Sequence, residues 1–472
     1  MTNETKPITK DGNSSAMDDS YSTTTENDDD NIMLQAHESH VIGENLSDSY
    51  ALMNFIKGNI GTGMLSMPVV LRYAGLWTGF FLIILSGALA TYLMAVLVRV
   101  SRSVRDKNHL DHSKMDYTET VFSVFKYGPT CLRKPKGKIK HTVNVFLIIT
   151  QTGFCCVYIL FLTENIRYFL YGFFPHLPLN FYVVAVLTSL CFVPMCLFSN
   201  MRILSRLATL ANFATLLGSL LIFIYLFSTG LKPLDTLPAI TELRGILIAF
   251  GIVMFSFEGI SLVLPIESKM ANPSNFTHPF GVLNVGMTVV VCLNVAFGFF
   301  GFLRFGEDAQ GTITLNIPED PYWFSPVKPL FVLAIVVSYL LQFYIPAAIF
   351  TRLMEKLKCH RDASDRRRYI HEKLMRVALV LLSCLAVITI PKLELMISLI
   401  GAFASSVLAL ILPPVLEIVH LWEQRAQIPG FWFRVFAKHV IIIAIGLGAF
   451  LGGTVATLFQ LIDSFYSPNP PE

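Results

Sequence analysis

Apolar positions in this chain come in long unbroken blocks, not in the alternation of half-buried strands or the stripes of surface helices. Blocks of about 20 residues, the length that crosses ~30 Å of hydrocarbon, recur eleven times. They occupy 50–71, 76–99, 142–171, 180–199, 206–228, 245–266, 281–303, 325–351, 375–395, 396–420 and 437–462. Each predicts an α-helix, because a helix satisfies its own backbone hydrogen bonds where there is no water. The first block carries Lys57 and several glycines, and Pro391-Lys392-Leu393-Glu394 alone separates the ninth from the tenth, so ten and twelve are the neighbouring counts. The predicted fold class is an all-α integral membrane protein with about 11 transmembrane helices.

Composition excludes the alternative of several soluble domains. Of 472 residues, 53% are hydrophobic and 15% charged, where soluble domains carry roughly 25% charged residues. The net charge of +3 conceals an asymmetry, since residues 1–49 hold eleven Asp and Glu against only Lys6 and Lys10. This tail is therefore at −9 and the rest of the chain at +12. The tail is rich in Ser, Thr and Asn, with Ile32-Met33-Leu34 as its one apolar cluster. Too little apolar surface is present to offset the entropy of ordering, and 1–49 is read as disordered. It does not begin with a basic segment followed by an apolar run, so it is not a signal peptide.

Lys and Arg set the orientation. The 101–140 loop holds ten and 352–376 holds nine, while 172–179, 229–243 and 305–323 together hold only Lys232. Basic loops inside place the N-terminus in the cytosol and the short tail 466–472 outside or in a lumen. Of eight cysteines, 155, 156, 191, 196, 292 and 384 lie within spans, and 131 and 359 in cytosolic loops. No structural disulfide is expected. The sequons at Asn3, Asn13, Asn45 and Asn275 fall on the cytosolic side and should stay unglycosylated.

Two spans share an unusual interior. The first reads Gly58-Asn59-Ile60-Gly61-Thr62-Gly63-Met64-Leu65-Ser66-Met67-Pro68, and the sixth Phe255-Ser256-Phe257-Glu258-Gly259-Ile260-Ser261-Leu262-Val263-Leu264-Pro265. Each has glycine in mid-span and proline five to seven residues beyond. Glycine permits local unwinding, and bare backbone at membrane depth is tolerated only where it lines a cavity or binds a ligand. Small residues for close helix packing are the competing explanation. Five spans separate the pair, as inverted repeats with two broken helices require. Repeat one would be about 50–228, repeat two about 245–420, and helix eleven, 437–462, an addition to a transporter core at 50–465.

The segment Lys57–Gly63 resembles the first-helix signature of the proton-coupled amino-acid transporters, in the amino acid/auxin permease group. The resemblance recurs at Thr150–Tyr158, Phe255–Met270, Gln310–Pro318, Leu341–Ala347 and Ile397–Glu417, and so covers 50–465. It implies eleven helices in the five-plus-five inverted-repeat fold typified by LeuT, with broken helices 1 and 6, and transport of small amino acids. Two positions depart from the family pattern. Many members carry His five residues before the Asn of the first motif, here Asn54, and Glu two residues after the eighth-span proline, here Ala348.

Candidate site residues follow from the breaks. Amides around Gly61, Thr62 and Gly63 would receive a carboxylate at the start of the outer half-helix. Carbonyls at Asn59, Ile60, Ser256 and Phe257 would hold an ammonium, Phe257 would wall the side-chain space, and Gly259 completes the second break. Glu258 is the proton-coupling candidate, since an ionisable group at mid-membrane is costly and marks function by default; a neutral structural Glu is the alternative. Lys57 reads as snorkelling to the interface, with a gate ion pair as the rival. Gln151, Tyr158, Tyr339 and Gln342 are polar groups in spans 3 and 8, and Ser405-Ser406 and Pro413-Pro414 suit helix packing and bending. His112, His360 and His371 lie in charged loops and read as solvated.

No His/Cys cluster has metal-ligand spacing, no phosphate loop is present and no nucleophile sits beside a base in a known motif. An enzyme, a metal site and an organic cofactor are not expected. Topology accounts for the cationic loops, so they call for no nucleic acid. The expected partners are small amino acids, a proton, membrane lipid, and a cytosolic partner of the N-terminal tail. The function expected is secondary transport of small neutral amino acids coupled to protons. Uncoupled transport, sodium coupling through such hydroxyls as Ser338 and Tyr339, and an amino-acid sensor on the same fold are the alternatives. Asp29-Asp30-Asn31-Ile32-Met33-Leu34 approximates an acidic dileucine sorting signal, which leaves lysosomal or endosomal membranes beside the plasma membrane.

Overall fold

A computed structural model describes residues 47–466 apart from 111–114, 131–135, 175, 177–178, 198–200, 229, 319–322 and 356–363. The sequons at Asn3, Asn13 and Asn45, the dileucine-like segment and nearly all of the acidic tail lie outside the described residues. Among the described residues there are helices, turns and loops but no β-strand.

The first block is three helical pieces, α1 (Asp48–Asn59), α2 (Thr62–Leu65) and α3 (Met67–Ala74). The chain unwinds where glycine was expected to allow it: Gly61 is extended, with φ −153° and ψ −155°. A second, smaller interruption falls at Ser66. Pro68 causes neither break. It sits in the first turn of α3, where its missing N–H has no helical partner to lose.

Next come α4 (Leu76–Asn108), α5 (Tyr117–Tyr127), α6 (Lys136–Phe173), α7 (Phe181–Leu197) and α8 (Met201–Ser228). The sixth block is two helices, α9 (Leu243–Ser256) and α10 (Ile260–Lys269). Pro265 lies inside α10 without ending it, so here too the glycine marks the break. The chain continues with α11 (Val282–Phe305), α12 (Val327–Glu355), α13 (Asp365–Thr389) and α14 (Leu393–Ile400). Wide π-helical turns at Gly401–Ile411 lead to α15 (Leu412–Leu421). Similar turns at Trp432–Ala437 and Ala449–Gly453 flank α16 (Lys438–Gly448), and α17 (Thr454–Tyr466) closes the described chain.

All eleven predicted blocks are helical. Eight continuous runs are long and apolar enough to cross a membrane, and α7 is a shorter apolar helix. The count of eleven adds the broken first segment and α13. Several helices outrun their predicted blocks at the basic end of the bundle, where the 101–140 and 352–376 segments emerge; α4, for instance, extends from the predicted 99 to Asn108. Hydropathy stops at the first charges, whereas helical hydrogen bonding continues through them.

Two features of the tenth block were not predicted. Gly401 lies so close to α9 that an added Cβ would run into the Gly251 carbonyl oxygen, and one on Gly251 would lie 2.6 Å from Ser398 Oγ. Beyond this crossing the helix widens, with the Leu412 amide donating to the Val407 carbonyl. The next donor in that pattern would be residue 413, and proline has none. The Leu408 carbonyl thereby stays open, and it accepts the Tyr117 hydroxyl at 2.7 Å. Tyr117 opens α5, whose Asp116 cap accepts from the Glu119 amide at 2.7 Å. Pro413 thus binds the connecting helix to the tenth block through the hydrogen bond it does not make.

The crossing yields a stability prediction. Gly401→Ala should destabilise the protein by about 1–3 kcal/mol, the usual cost of overpacking, read as a lower melting midpoint of detergent-solubilised protein. Gly448, around which nothing lies within 4 Å of an added Cβ, is the comparison. Gly448→Ala should hold or raise the midpoint, because alanine restricts the unfolded chain and favours the helix.

Candidate functional site

The two interruptions face each other. A Cβ added at Gly63 would lie 2.7 Å from Ser256 Cα and 2.8 Å from its Cβ, so α2 rides directly on the last turn of α9. A Cβ at Gly259 would collide with the side-chain amide of Asn59. Gly61 differs, since the nearest atom to a Cβ there is the Tyr158 hydroxyl oxygen at 3.9 Å. Gly63 and Gly259 are thus contact points between the broken helices, while Gly61 leaves space.

Within the second break the backbone makes tight local bonds. The Glu258 amide donates to the Phe255 carbonyl at 3.3 Å and the Gly259 amide to the Phe257 carbonyl at 2.9 Å. One lone pair of the Phe257 carbonyl is therefore already engaged. The Phe257 side chain is fully buried, and its ring edge would lie 3.1 Å from a Cβ on Gly87 of α4. The structure places it in the packing between the sixth segment and α4. At the first break, the Ile60 amide still donates to the Ile56 and Lys57 carbonyls. The outer half of that span begins as the single turn α2, so the expected helix N-terminus is only one turn long.

Side chains around the breaks are short of partners. The Asn59 amide nitrogen donates to the Phe55 carbonyl at 2.9 Å. Its Oδ1, Thr62 Oγ1 and both carboxyl oxygens of Glu258 are buried with no hydrogen-bond partner among the described residues. The Ser405 hydroxyl of the wide-turned stretch is placed to hydrogen-bond the Glu258 carboxyl, without reaching full hydrogen-bond geometry. Ser256 is satisfied, donating to Asn294 Oδ1 at 2.7 Å, and Asn294 donates in turn to the Val290 carbonyl at 2.8 Å. Gln151 Oε1 and Tyr339 Oη are unpartnered and buried as well, and the Tyr339 ring stacks on Phe192 at 3.8 Å between ring centroids.

The unpartnered set is rich in acceptors. Asn59 Oδ1 can only accept, the Glu258 oxygens accept when ionised, and the two hydroxyls can do either. A ligand that satisfies this set must bring N–H or O–H donors.

Ion pairs flank the breaks on both sides. On the side away from the basic end, Arg72 lies 3.8 Å from Glu394 and donates to the Ala309 carbonyl. The loop lies over this pair, since a Cβ on Gly311 would sit 2.8 Å from Glu394 Oε2. At the basic end, Arg102 of α4 pairs with Glu267 of α10 at 2.8 Å and also donates to Thr277 Oγ1 and the Pro273 carbonyl. Clefts of about 380 Å³ beside Asp48 and His278 and about 260 Å³ beside Arg72 and Thr241 lie at the two ends, not at the breaks. Sequence reasoning missed Asn294 and all four of these charged residues. Their signal was faint: single polar residues inside or at the edge of apolar blocks.

Residues 44–459 match the family of transmembrane amino acid transporter proteins. A Caenorhabditis elegans protein named "Probable amino acid transporter skat-1" is 29% identical over 432 residues, 91% of this chain and 93% of its own length. The Drosophila melanogaster "Proton-coupled amino acid transporter-like protein pathetic" is 28% identical over 432 residues, 90% of this chain and 87% of its own. Among solved structures, the manganese transporter of Eremococcus coleocola, in complex with an aromatic bis-isothiourea substituted compound, covers 92% of this chain and 95% of its own at 15% identity and a TM-score of 0.46. With its apolar helices, its matched breaks and a family match that spans nearly the whole helical core, this chain belongs to the transmembrane amino acid transporter family.

Proposed function

We propose that this protein is a secondary transporter that moves small neutral amino acids across a membrane together with a proton, and that the facing breaks hold the substrate. One observation carries the reading: Asn59 Oδ1, Thr62 Oγ1 and both Glu258 oxygens, buried and without a well-formed hydrogen bond, belong to the two segments where the helices are interrupted. Leaving such groups unpaired costs ~1–3 kcal/mol each, and the α-ammonium of an amino acid offers three donors. Asn59, Glu258 and Ser405 would receive it, with the carbonyls of Asn59, Ile60, Ser256 and Phe257 nearby. The carboxylate would meet Thr62 Oγ1 and the first amides of the outer piece, around Gly61, Thr62 and Gly63. The free volume at Gly61 supports this placement. Tight packing at Gly63 and Gly259 supports a scaffolding role for those glycines beside the site.

Glu258 is the group proposed to carry the proton. It sits in the second break, with Asn54 and Ala348 occupying positions that are titratable in many family members. The name of the Drosophila relative supports coupling to protons. Taken up from an acidic side, the proton would neutralise Glu258 inside the membrane, and opening to water on the far side would release it.

Two experiments test the reading. Gly61→Ala fits the fold, because extended backbone suits any residue and nothing lies within 3.9 Å of the new methyl. It should leave the melting midpoint near that of wild type and cut amino-acid uptake at least tenfold at matched protein in vesicles. Gly63→Ala should lower the midpoint instead, because its methyl meets Ser256. Unimpaired uptake by Gly61→Ala would remove the substrate from the first break. For the proton, reconstituted wild type should take up substrate faster with an inward proton gradient than with none, and substrate should evoke acidification inside. Glu258→Gln should lose the gradient-driven component while substrate exchange, which needs no net proton release, continues. Equal wild-type rates with and without the gradient would make Glu258 structural and transport uncoupled.

A further inference from the structure

A further, partly buried acid lies outside the breaks, and nothing in the transport reading uses it. Glu417 of α15 sits between α4 and the start of the eleventh span. Arg99 of α4 approaches Glu417 Oε1 at 3.5 Å, and His439 Nε2 approaches Glu417 Oε2 at 2.7 Å. The His439 side chain is completely buried. Its Nδ1 lies 2.6 Å from the Val435 carbonyl, and its Nε2 lies 3.3 Å from the Tyr92 hydroxyl.

These contacts constrain where protons are. A carbonyl can only accept, so His439 Nδ1 carries a hydrogen and donates it to Val435. Nε2 is then the nitrogen left open to accept a proton. Without a proton it is an acceptor, suited to the Tyr92 O–H, while the carboxylate beside it faces a lone pair. With a proton the ring is a cation, and the 2.7 Å approach of Glu417 becomes an ion pair. Glu417 has an alternative partner in either case, the Arg99 guanidinium on α4.

We propose that His439 and Glu417 form a proton-binding switch at the basic end of the bundle, in which protonation of His439 completes the ion pair that locks the eleventh span onto the tenth, and loss of the proton leaves Glu417 with Arg99 alone. The other groups facing the pair are Tyr92 from α4, His420 from α15 and Lys438 from α16. His420 is engaged with Ser103 Oγ at 2.8 Å, and Lys438 lies over the Tyr92 ring at 4.8 Å. Imidazole is the side chain whose charge changes in the physiological range, and here it joins three spans. The site is separate from Glu258 and from the substrate breaks.

Two tryptophans report on this junction. Trp422 follows α15 and Trp432 opens the eleventh span, with ring centroids 6.3 Å apart. In the full-length protein carrying Trp77→Phe, Trp323→Phe and His420→Gln, the remaining emission comes from Trp422 and Trp432, and the neighbouring His420 cannot titrate. Emission should change through one step as the pH is lowered. Adding His439→Gln should abolish the step. Adding Glu417→Gln should keep the step but move its midpoint, because it removes the charge that Nε2 faces at 2.7 Å. Size-exclusion profiles check that each variant is folded. If His439→Gln aggregates, the Glu417→Gln midpoint decides, and an unmoved midpoint overturns the proposal. A step that persists in folded His439→Gln, or no step in the reference protein, also overturns it. The readout needs no substrate, so it stands or falls independently of amino-acid transport.

Discussion

The arrangement of this protein depends on one constraint: an interrupted helix inside a membrane must find partners for what it exposes. Neither the first nor the sixth segment can break alone. Gly63 lets α2 lie against Ser256, and Gly259 makes room for the Asn59 side chain, so each interruption supplies the wall of the other. The tenth block then packs against α9 through Gly251 and Gly401, bringing Ser405 beside Glu258. The flanking ion pairs of Arg72 with Glu394 and Arg102 with Glu267 tie the ends of these same segments to their neighbours. A protein that must hold a polar site in hydrocarbon has placed its glycines at the contacts and its paired charges at the ends.

Much of this was legible in the chain because the membrane makes hydropathy a strict signal. A 20-residue apolar block has one stable backbone solution, and all eleven predicted blocks are helical. The breaks were legible because glycine in mid-span serves few purposes. Their details were not. The sequence shows Gly61, Gly63 and Gly259 as equivalent, and only packing separates the two that touch a partner segment from the one that leaves space. Proline is the weaker marker of a break: Pro68, Pro194, Pro265 and Pro346 lie within helices without ending them.

Pairing across the fold was the least legible layer. His439 and Tyr92 are 347 residues apart, and Arg102 and Glu267 are 165 apart. No spacing rule connects residues so distant, because their proximity is set by how whole helices cross. The wide turns at Gly401–Ile411 belong to the same class. They follow from Gly251 on another helix and from the N–H that Pro413 lacks, two facts that are local only once the fold is known.

The charged groups then sort by whether the chain supplies a counterion. A carboxylate taken out of water is tolerated when a cation and hydrogen bonds replace its hydration. Glu267 has Arg102, Glu394 has Arg72, and Glu417 has Arg99 and His439. Glu258 is more buried than Glu394 or Glu417, yet among the described residues it has no ion pair, and only the Ser405 hydroxyl stands beside its carboxyl. Since an isolated buried carboxylate is too costly to persist, this carboxyl calls for either a proton or a cation beyond those of the described residues. An amino acid's ammonium and a proton are the two such species that the proposed reading brings to the break. On the proposed reading the same missing counterion would serve both a substrate ammonium and a proton at one residue, and its absence separates Glu258 from the ion-paired acids at the ends of the bundle.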